Sequence, residues 1–252
     1  MPISAARVVA RYVVSLALLV VAWKVLVGSL GLPPYLLPPP ERVFRTLGNE
    51  SRLFSAAAIY TLKNCLVGGV IGVLCGMLVG GFVAYSKPLR WIVEPYLVVF
   101  QSFPRESLFP LLVVWLGFGA ATKIVSASLL SFFPVAIITL NGLLDVRSDY
   151  LELIRGWGAT RTQEFLHCRL PAVVPTLVSA VKVGFPLALI GAVLGEFMGG
   201  SSGLGYVIIS SGSAFRTDRI FAALVFLIAI GLLMLISVQI MERSILKRFY
   251  QE

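Results

Sequence analysis

Residues 56–85 make one long apolar run whose single charge is Lys63. As a helix the run would be about 45 Å long. The hydrocarbon core of a bilayer is about 30 Å thick. A soluble chain of this size has no interior able to hide such a helix on every side, so the run needs lipid. Further apolar runs cover about 8–30, 91–116, 122–144, 172–197 and 220–241. The fold class that follows is all-α: a polytopic membrane protein with about six transmembrane helices. Composition agrees. Of 252 residues, 58% are hydrophobic and 13% are charged. A soluble domain carries about 25% charged residues.

The organisation reads as one membrane domain over 1–252. Residues 1–55 hold a first span and an external segment, 56–241 hold a five-span core, and 145–171 interrupt that core with the longest polar stretch. The first span resembles a signal peptide only superficially. Arg7 and Arg11 precede it and Lys24 interrupts it, but Gly-Leu-Pro-Pro follows instead of a small-x-small cleavage site. It is read as a retained span. Pro33-Pro34 and Pro38-Pro39-Pro40 then exclude a helix, and 41–54 reads as a polar surface helix.

The net charge is +9, but the basic residues are scattered at the ends of apolar runs. That is a topology signal and not a nucleic-acid patch. Six spans put both termini on one side, together with Arg7, Arg11, Lys87, Arg90, Arg147, Arg155, Arg161, Arg169, Arg243, Lys247 and Arg248. The other side collects fewer, chiefly Arg42, Arg45, Arg52, Lys123, Arg216 and Arg219. The positive-inside rule places both termini and the 145–171 segment in the cytoplasm.

Within the second span, Gly68, Gly72, Gly76 and Gly80 recur every fourth residue. On a helix they form a flat stripe suited to close backbone contact. Packing against another span of the same chain is the favoured reading, and contact with a second copy is the alternative. The third span contains Pro95, Pro104 and Pro110, so it should be bent or broken. Phe103, Arg105 and Glu106 sit at the middle proline. Ionisable residues amid apolar sequence are costly and mark candidate pathway positions. The alternatives are an Arg105–Glu106 pair that satisfies itself, or water at a helix break. Glu196, at the end of a row of small residues in the fifth span, is a further pathway candidate. It could equally accept backbone bonds from the loop that follows.

The segment 145–171 carries its own helix signals. Asp149 with Glu152 fits an N-cap with an acid at the third position. Thr160 with Gln163 fits a capping box. Gly156 and Gly158 lie between, where a helix ends and the chain turns. Two short helices joined at a glycine corner follow. Leu151, Ile154 and Trp157 give the first an apolar side. Either lipid headgroups or a groove on a partner protein would cover it.

Glu152, Gly158 six residues on, and the later Leu170-Pro171 resemble the signature of the membrane subunits of bacterial binding-protein-dependent ABC importers. The family pattern is Glu-Ala-Ala, three residues, Gly, then Leu-Pro. Leu153 and Ile154 stand here for the two alanines. Leu37-Pro38, Trp115-Leu-Gly117, Gly195-Glu196 with Ser202-Gly203-Leu-Gly205-Tyr206, and Arg216-Thr-Asp218 resemble the nitrate, sulfonate and taurine branch. The resemblance runs from about Leu37 to the C-terminus. It implies a permease subunit of the bacterial inner membrane for a small anionic solute. A pyrimidine vitamin precursor or an aromatic acid is the alternative within the same class. It implies that Glu152, Arg155, Gly156, Gly158, Ala159, Thr160, Leu170 and Pro171 form a coupling segment seated on a cytoplasmic ATPase. It also implies a second permease copy and a periplasmic or lipoprotein solute-binding protein.

No lysine follows a glycine, so no phosphate-binding Gly-Lys-Ser/Thr loop is present. ATP and Mg are therefore expected on the partner ATPase, with no cofactor on this chain and no catalysis by it. Cys65, Cys75 and Cys168 lack metal or disulfide spacing, and His167 has no ligand companion, so no metal site is expected. Gly200-Ser-Ser202-Gly203 matches an intramembrane serine protease motif, but no histidine follows it to act as base. An ion-coupled secondary transporter using Glu106 and Glu196 is the rival of another class. It leaves the capped helix pair unexplained.

Overall fold

The computed structural model describes the backbone of residues 5–146 and 148–249, with side chains over 14–146, residue 16 apart, and 150–244. The proposed Asp149 cap and the side chains of Arg7, Arg11, Arg147, Lys247 and Arg248 lie outside the described side chains. The described chain is helical and contains no strand. Its helices are α1 (Ala5–Leu30), α2 (Pro40–Asn49), α3 (Ser51–Tyr85), α4 (Lys87–Ser102), α5 (Phe109–Leu116) and α6 (Ala120–Leu144). The connection after α6 holds α7 (Ser148–Gly156) and α8 (Arg161–Glu164), and α9 (Leu170–Phe197), α10 (Leu204–Ser213) and α11 (Thr217–Phe249) complete the chain.

Four stretches are long and apolar enough to cross a bilayer: α3, α6, the continuous helix Arg161–Phe197, and α11 over Thr217–Ser244. The pair α4 and α5 makes a fifth if counted as one broken span, bent by 89°. The cause of the bend is local. Phe103 precedes Pro104 and is pushed to extended backbone at φ −74°, ψ 137°, so α4 ends there. A single 3₁₀ turn, Arg105–Leu108, leads into α5. Helix α1 has 26 residues and is apolar over Ala17–Leu30. Together these account for about six membrane helices.

Three details differ from expectation. Helix α2 begins at Pro40, within the proline run, because the first residue of a helix needs no N–H donor. The surface helix ends at Asn49, and Glu50 at φ −113° breaks the chain before α3. Helix α3 thus starts earlier than the apolar run. Helix α10 is an additional short element, its ten residues too few to cross.

The core is a three-helix contact among α3, α6 and α9. Gly68, Gly72, Gly76 and Gly80 all face α6. A methyl group at Gly68 would stand 2.5 Å from the Ile124 carbonyl oxygen, and one at Gly76 2.7 Å from that of Phe132. One at Gly72 would fall onto Ser131 Oγ, and one at Gly80 onto the Ala136 carbonyl. The stripe brings two backbones together within one chain. In lipid no hydrophobic effect drives helices together, so such close packing is what binds them. Helix α11 closes the bundle, with Phe54 stacked on Phe226 at 5.8 Å and Trp23 on Phe221 at 5.2 Å. Of the cysteines, Cys65 is buried, Cys75 exposed and Cys168 half-buried, and all are free.

The bundle has two distinct ends. At one, the α3–α4 turn meets the α7–α9 connection, with Tyr85 edge-on to Phe165 at 5.4 Å. At the other, α2 meets the start of α11. Buried Asp218 accepts from Thr46 Oγ1 at 2.8 Å and from Arg216 at 2.8 and 3.1 Å. Glu50 accepts from Arg216 at 3.2 Å and Arg219 at 2.9 Å. This network fastens the surface helix to the core.

Candidate functional site

Helix α7 ends at a left-handed residue. Gly158 has φ +81°, its N–H donates to the Arg155 carbonyl at 2.9 Å, and the Ala159 N–H reaches back to Ile154 at 3.2 Å. These paired bonds satisfy the last carbonyls of the helix as a Schellman motif. Thr160 then caps α8. Its Oγ1 accepts from the Gln163 N–H at 3.3 Å, and Gln163 Oε1 accepts from the Thr160 N–H at 2.9 Å. The corner and the capping box share a single turn of chain.

The corner is held from beneath by Glu164, which sequence reasoning missed. Its buried carboxylate accepts from Arg155 at 2.8 and 3.1 Å and from Arg169 Nε at 3.0 Å. Arg169 Nη1 also donates to the Leu143 carbonyl at the end of α6, at 2.8 Å. One acid therefore ties α7, α9 and α6 together. The Glu164 carboxylate holds the Arg155 guanidinium above its usual range, because the charge-assisted bond favours the charged form. Leu170-Pro171 explains how Arg169 reaches this acid. Pro171 cannot donate to the carbonyl four residues back, and residues Phe165–Arg169 widen to a π turn, with the Leu170 N–H on the Phe165 carbonyl.

The outer surface of α7 is open. Glu152, Arg155, Gly156 and Gly158 are exposed, as is Thr160, and Ala159 is half-buried. Of the expected apolar side, Leu151 is buried, Ile154 half-buried, and Trp157 81% exposed. Trp157, Gly158, Ala159, Gln163 and His167 frame a shallow groove there. The segment presents an aromatic ring and a carboxylate on a braced support.

The break between α4 and α5 places Phe103, Arg105 and Glu106 together on the chain but in different surroundings. Phe103 is exposed and lies edge-on to Phe100, centroids 6.5 Å apart. Glu106 is exposed and pairs with no cation among the described residues. Arg105 is half-buried, and Nη1 donates to the Leu130 carbonyl on α6 at 3.3 Å. The self-satisfied Arg105–Glu106 pair is therefore not formed.

Glu196 lies apart from that break, 1% exposed. It accepts from Thr61 Oγ1 at 2.9 and 3.0 Å and from the Gly205 N–H at 2.8 Å. Thr61 Oγ1 in turn accepts from the Leu204 N–H at 2.9 Å. Glu196 and Thr61 thus satisfy the first N–H groups of α10, where an anion is also favoured by the helix dipole. Gly203, at φ +103°, lies against the Glu196 carboxylate with no room for a side chain. Lys123, also buried, donates to the Phe118 carbonyl at 2.6 Å. No group of three or more metal-ligating side chains occurs among the described residues.

Comparison with known proteins bears on this geometry. Residues 72–247 match the family described as binding-protein-dependent transport system inner membrane component. The chain is 31% identical over 230 residues to the formylaminopyrimidine transport permease protein ThiX of Halalkalibacterium halodurans, covering 91% of this chain and 92% of that one. It is 29% identical over 235 residues to a putative aliphatic sulfonates transport permease protein of Bacillus subtilis, covering 92% and 84%. Its fold is similar to a chain of the MetNI methionine ABC transporter, with TM-score 0.68 and 23% identity, covering 78% of this chain and 97% of that one.

Proposed function

The chain belongs to the family of inner membrane components of binding-protein-dependent transport systems, and we propose on that footing that it is the permease subunit of an ATP-driven importer for a small anionic solute. The observation that carries the reading is the α7 corner. A helix with an exposed Glu152 and Trp157 is closed by Gly158 and braced through Glu164 to α6 and α9. Force applied to such a helix passes directly into two membrane spans.

In this reading 1–252 is one transmembrane domain with 145–171 as its coupling segment. Both termini face the cytoplasm. Glu152, Arg155, Gly156, Gly158, Ala159 and Thr160 seat on a cytoplasmic ATPase, which binds ATP and Mg. Leu170 and Pro171 set the wide turn behind them. A solute-binding protein delivers substrate at the opposite end, and a second copy of this chain completes the pathway. Phe103, Arg105 and Glu106 at the helix break face that pathway, while Glu196 braces α10. Closure of the ATPases moves α7, and the bundles alternate access.

The sulfonate relative supports an anionic solute. The pyrimidine relative favours a second reading, the same importer for a pyrimidine vitamin precursor.

The test is co-purification of the chain with the ATPase encoded beside it, comparing wild type with Glu152→Ala/Gly158→Asp. Aspartate tolerates the left-handed conformation at a cost of roughly 1 kcal/mol, so the variant should reach the membrane. Loss of the ATPase or of ATP-driven uptake is expected. Normal uptake by the variant would sink the coupling assignment. Absence of any ATPase from wild type would turn attention to ion-driven flux through Glu106 and Glu196.

A further inference from the structure

Beside α7, the α3–α4 turn and the α7–α9 connection enclose a basin of about 470 Å³. Lys87, Arg90, Arg155, Arg161 and Arg169 line it. The single carboxylate in the lining, Glu164, is already taken up by Arg155 and Arg169. Among the described residues Lys87, Arg90 and Arg161 have no acidic partner. Like charges gathered in a concave surface repel one another and concentrate a positive field. An anion relieves that repulsion, and a phosphate with several acceptor oxygens suits guanidinium forks best.

The rest of the lining is largely apolar: Ala84, Tyr85, Leu144, Ala159 and Phe165. Tyr85 and Phe165 form an aromatic edge at the end of α3, the place where rings mark the level of lipid headgroups. From Lys87 one face of α4 continues through Trp91, half-buried Glu94 and Val98. Trp91 is 84% exposed and Val98 52%. The cationic cup thus adjoins, through Lys87, a face of a membrane helix that is apolar and exposed at Trp91 and Val98. We propose that the basin binds the phosphate headgroup of an anionic phospholipid, with the acyl chains along α4. Basic pockets between membrane helices on the cytoplasmic side are suited to such headgroups. That the lipid comes from the cytoplasmic leaflet rests on the orientation given above. Arg155 and Arg169 are shared with the Glu164 clamp, so bound lipid bears directly on the rigidity of the corner.

The experiment uses the full chain alone, so its outcome is independent of the importer reading. Detergent-purified protein is equilibrated with mixtures of phosphatidylglycerol and phosphatidylcholine, and lipid retention is read by native mass spectrometry. Wild type is expected to retain phosphatidylglycerol selectively. Lys87→Ala/Arg90→Ala/Arg161→Ala is expected to lose that selectivity about tenfold or more, and the charge-keeping Lys87→Arg/Arg90→Lys to preserve it. Equal selectivity in the triple-alanine variant would overturn the proposal. Inorganic phosphate is the second probe. If phosphate displaces phosphatidylglycerol and protects the fold as well as the lipid does, the site is one for a soluble anion and the lipid assignment fails. If, in a separate co-purification, Lys87→Ala/Arg90→Ala no longer holds the ATPase while lipid retention by the chain alone is intact, the basin is a protein-docking surface and the lipid assignment fails.

Discussion

Arg105 donates to the carbonyl of Leu130, the residue four positions before Pro134 on α6. Pro134 has no N–H, so it leaves that carbonyl without its helical partner. A guanidinium from the broken helix supplies the missing donor. The cation is thus held in the membrane by a defect in a neighbouring helix, and its remaining donors are left for other work. Its Nε is enclosed and finds no partner among the described residues.

This relationship predicts a non-additive pair. Arg105→Ala leaves a buried carbonyl unsatisfied and should destabilise the protein by about 1–3 kcal/mol. Pro134→Ala restores an N–H for Leu130. In that background Arg105→Ala should cost measurably less, giving a coupling of about 1 kcal/mol in a double-mutant cycle of thermal stability. Additive losses would show that the two sites are independent. Uptake is a separate readout. If Arg105 faces the pathway, Arg105→Ala weakens uptake of an anionic substrate even where Pro134→Ala has restored stability.

A second prediction concerns Glu164. Glu164→Gln keeps the side-chain volume but removes the charge that holds Arg155 and Arg169. The charge-assisted bond to Arg169 contributes about 1.5–3 kcal/mol, while the bond to Arg155, whose side chain is 57% exposed, is screened by solvent. The variant is expected to insert normally, to expose the 145–160 connection to protease, and to lower coupled ATP hydrolysis. An unchanged cleavage pattern would mean that the corner is rigid without the clamp.

The membrane spans, the glycine corner and the Thr160–Gln163 capping box were legible in the chain because each depends on local rules: run length, a left-handed glycine, a three-residue spacing. The partners were not. Arg105 and Pro134 are both plain in the sequence, but nothing in it says that the carbonyl freed by one lies beside the other. Glu164 stood as one acid among Arg155, Arg161 and Arg169, and its reach depends on the π turn that Pro171 imposes. Helix α10 was missed for a different reason. It is too short for a span, and its serines and glycines read as loop. Its first turn is satisfied by Thr61 and Glu196 from distant positions.

That last contact yields a third prediction. If Glu196 serves α10 by accepting hydrogen bonds, Glu196→Gln should keep most of the fold and uptake, since an amide oxygen remains for the Gly205 N–H. Glu196→Ala should cost about 1–3 kcal/mol. Gly203→Ala should be worse, because its left-handed backbone and the carboxylate beside it exclude a methyl group. Loss of uptake in a well-folded Glu196→Gln would instead show that the charge itself takes part in transport.

The glycine stripe gives the sharpest contrast within one helix. Gly72 and Gly81 both lie in α3, and both become alanine by adding one methyl group. At Gly72 the added carbon meets Ser131 Oγ and stands 2.5 Å from the Ser128 carbonyl oxygen, so two backbones must separate. At Gly81 nothing lies within 4 Å. Overpacking should cost Gly72→Ala on the order of 2 kcal/mol, whereas Gly81→Ala should be neutral or stabilise by up to about 1 kcal/mol, the propensity gain alone. Thermal unfolding in detergent measures both. Intrinsic helix propensity favours alanine equally at the two sites, so a difference between them isolates the contact with α6. Equal stabilities would mean that α3 and α6 have room to part, and the close packing could not then be what holds the bundle together.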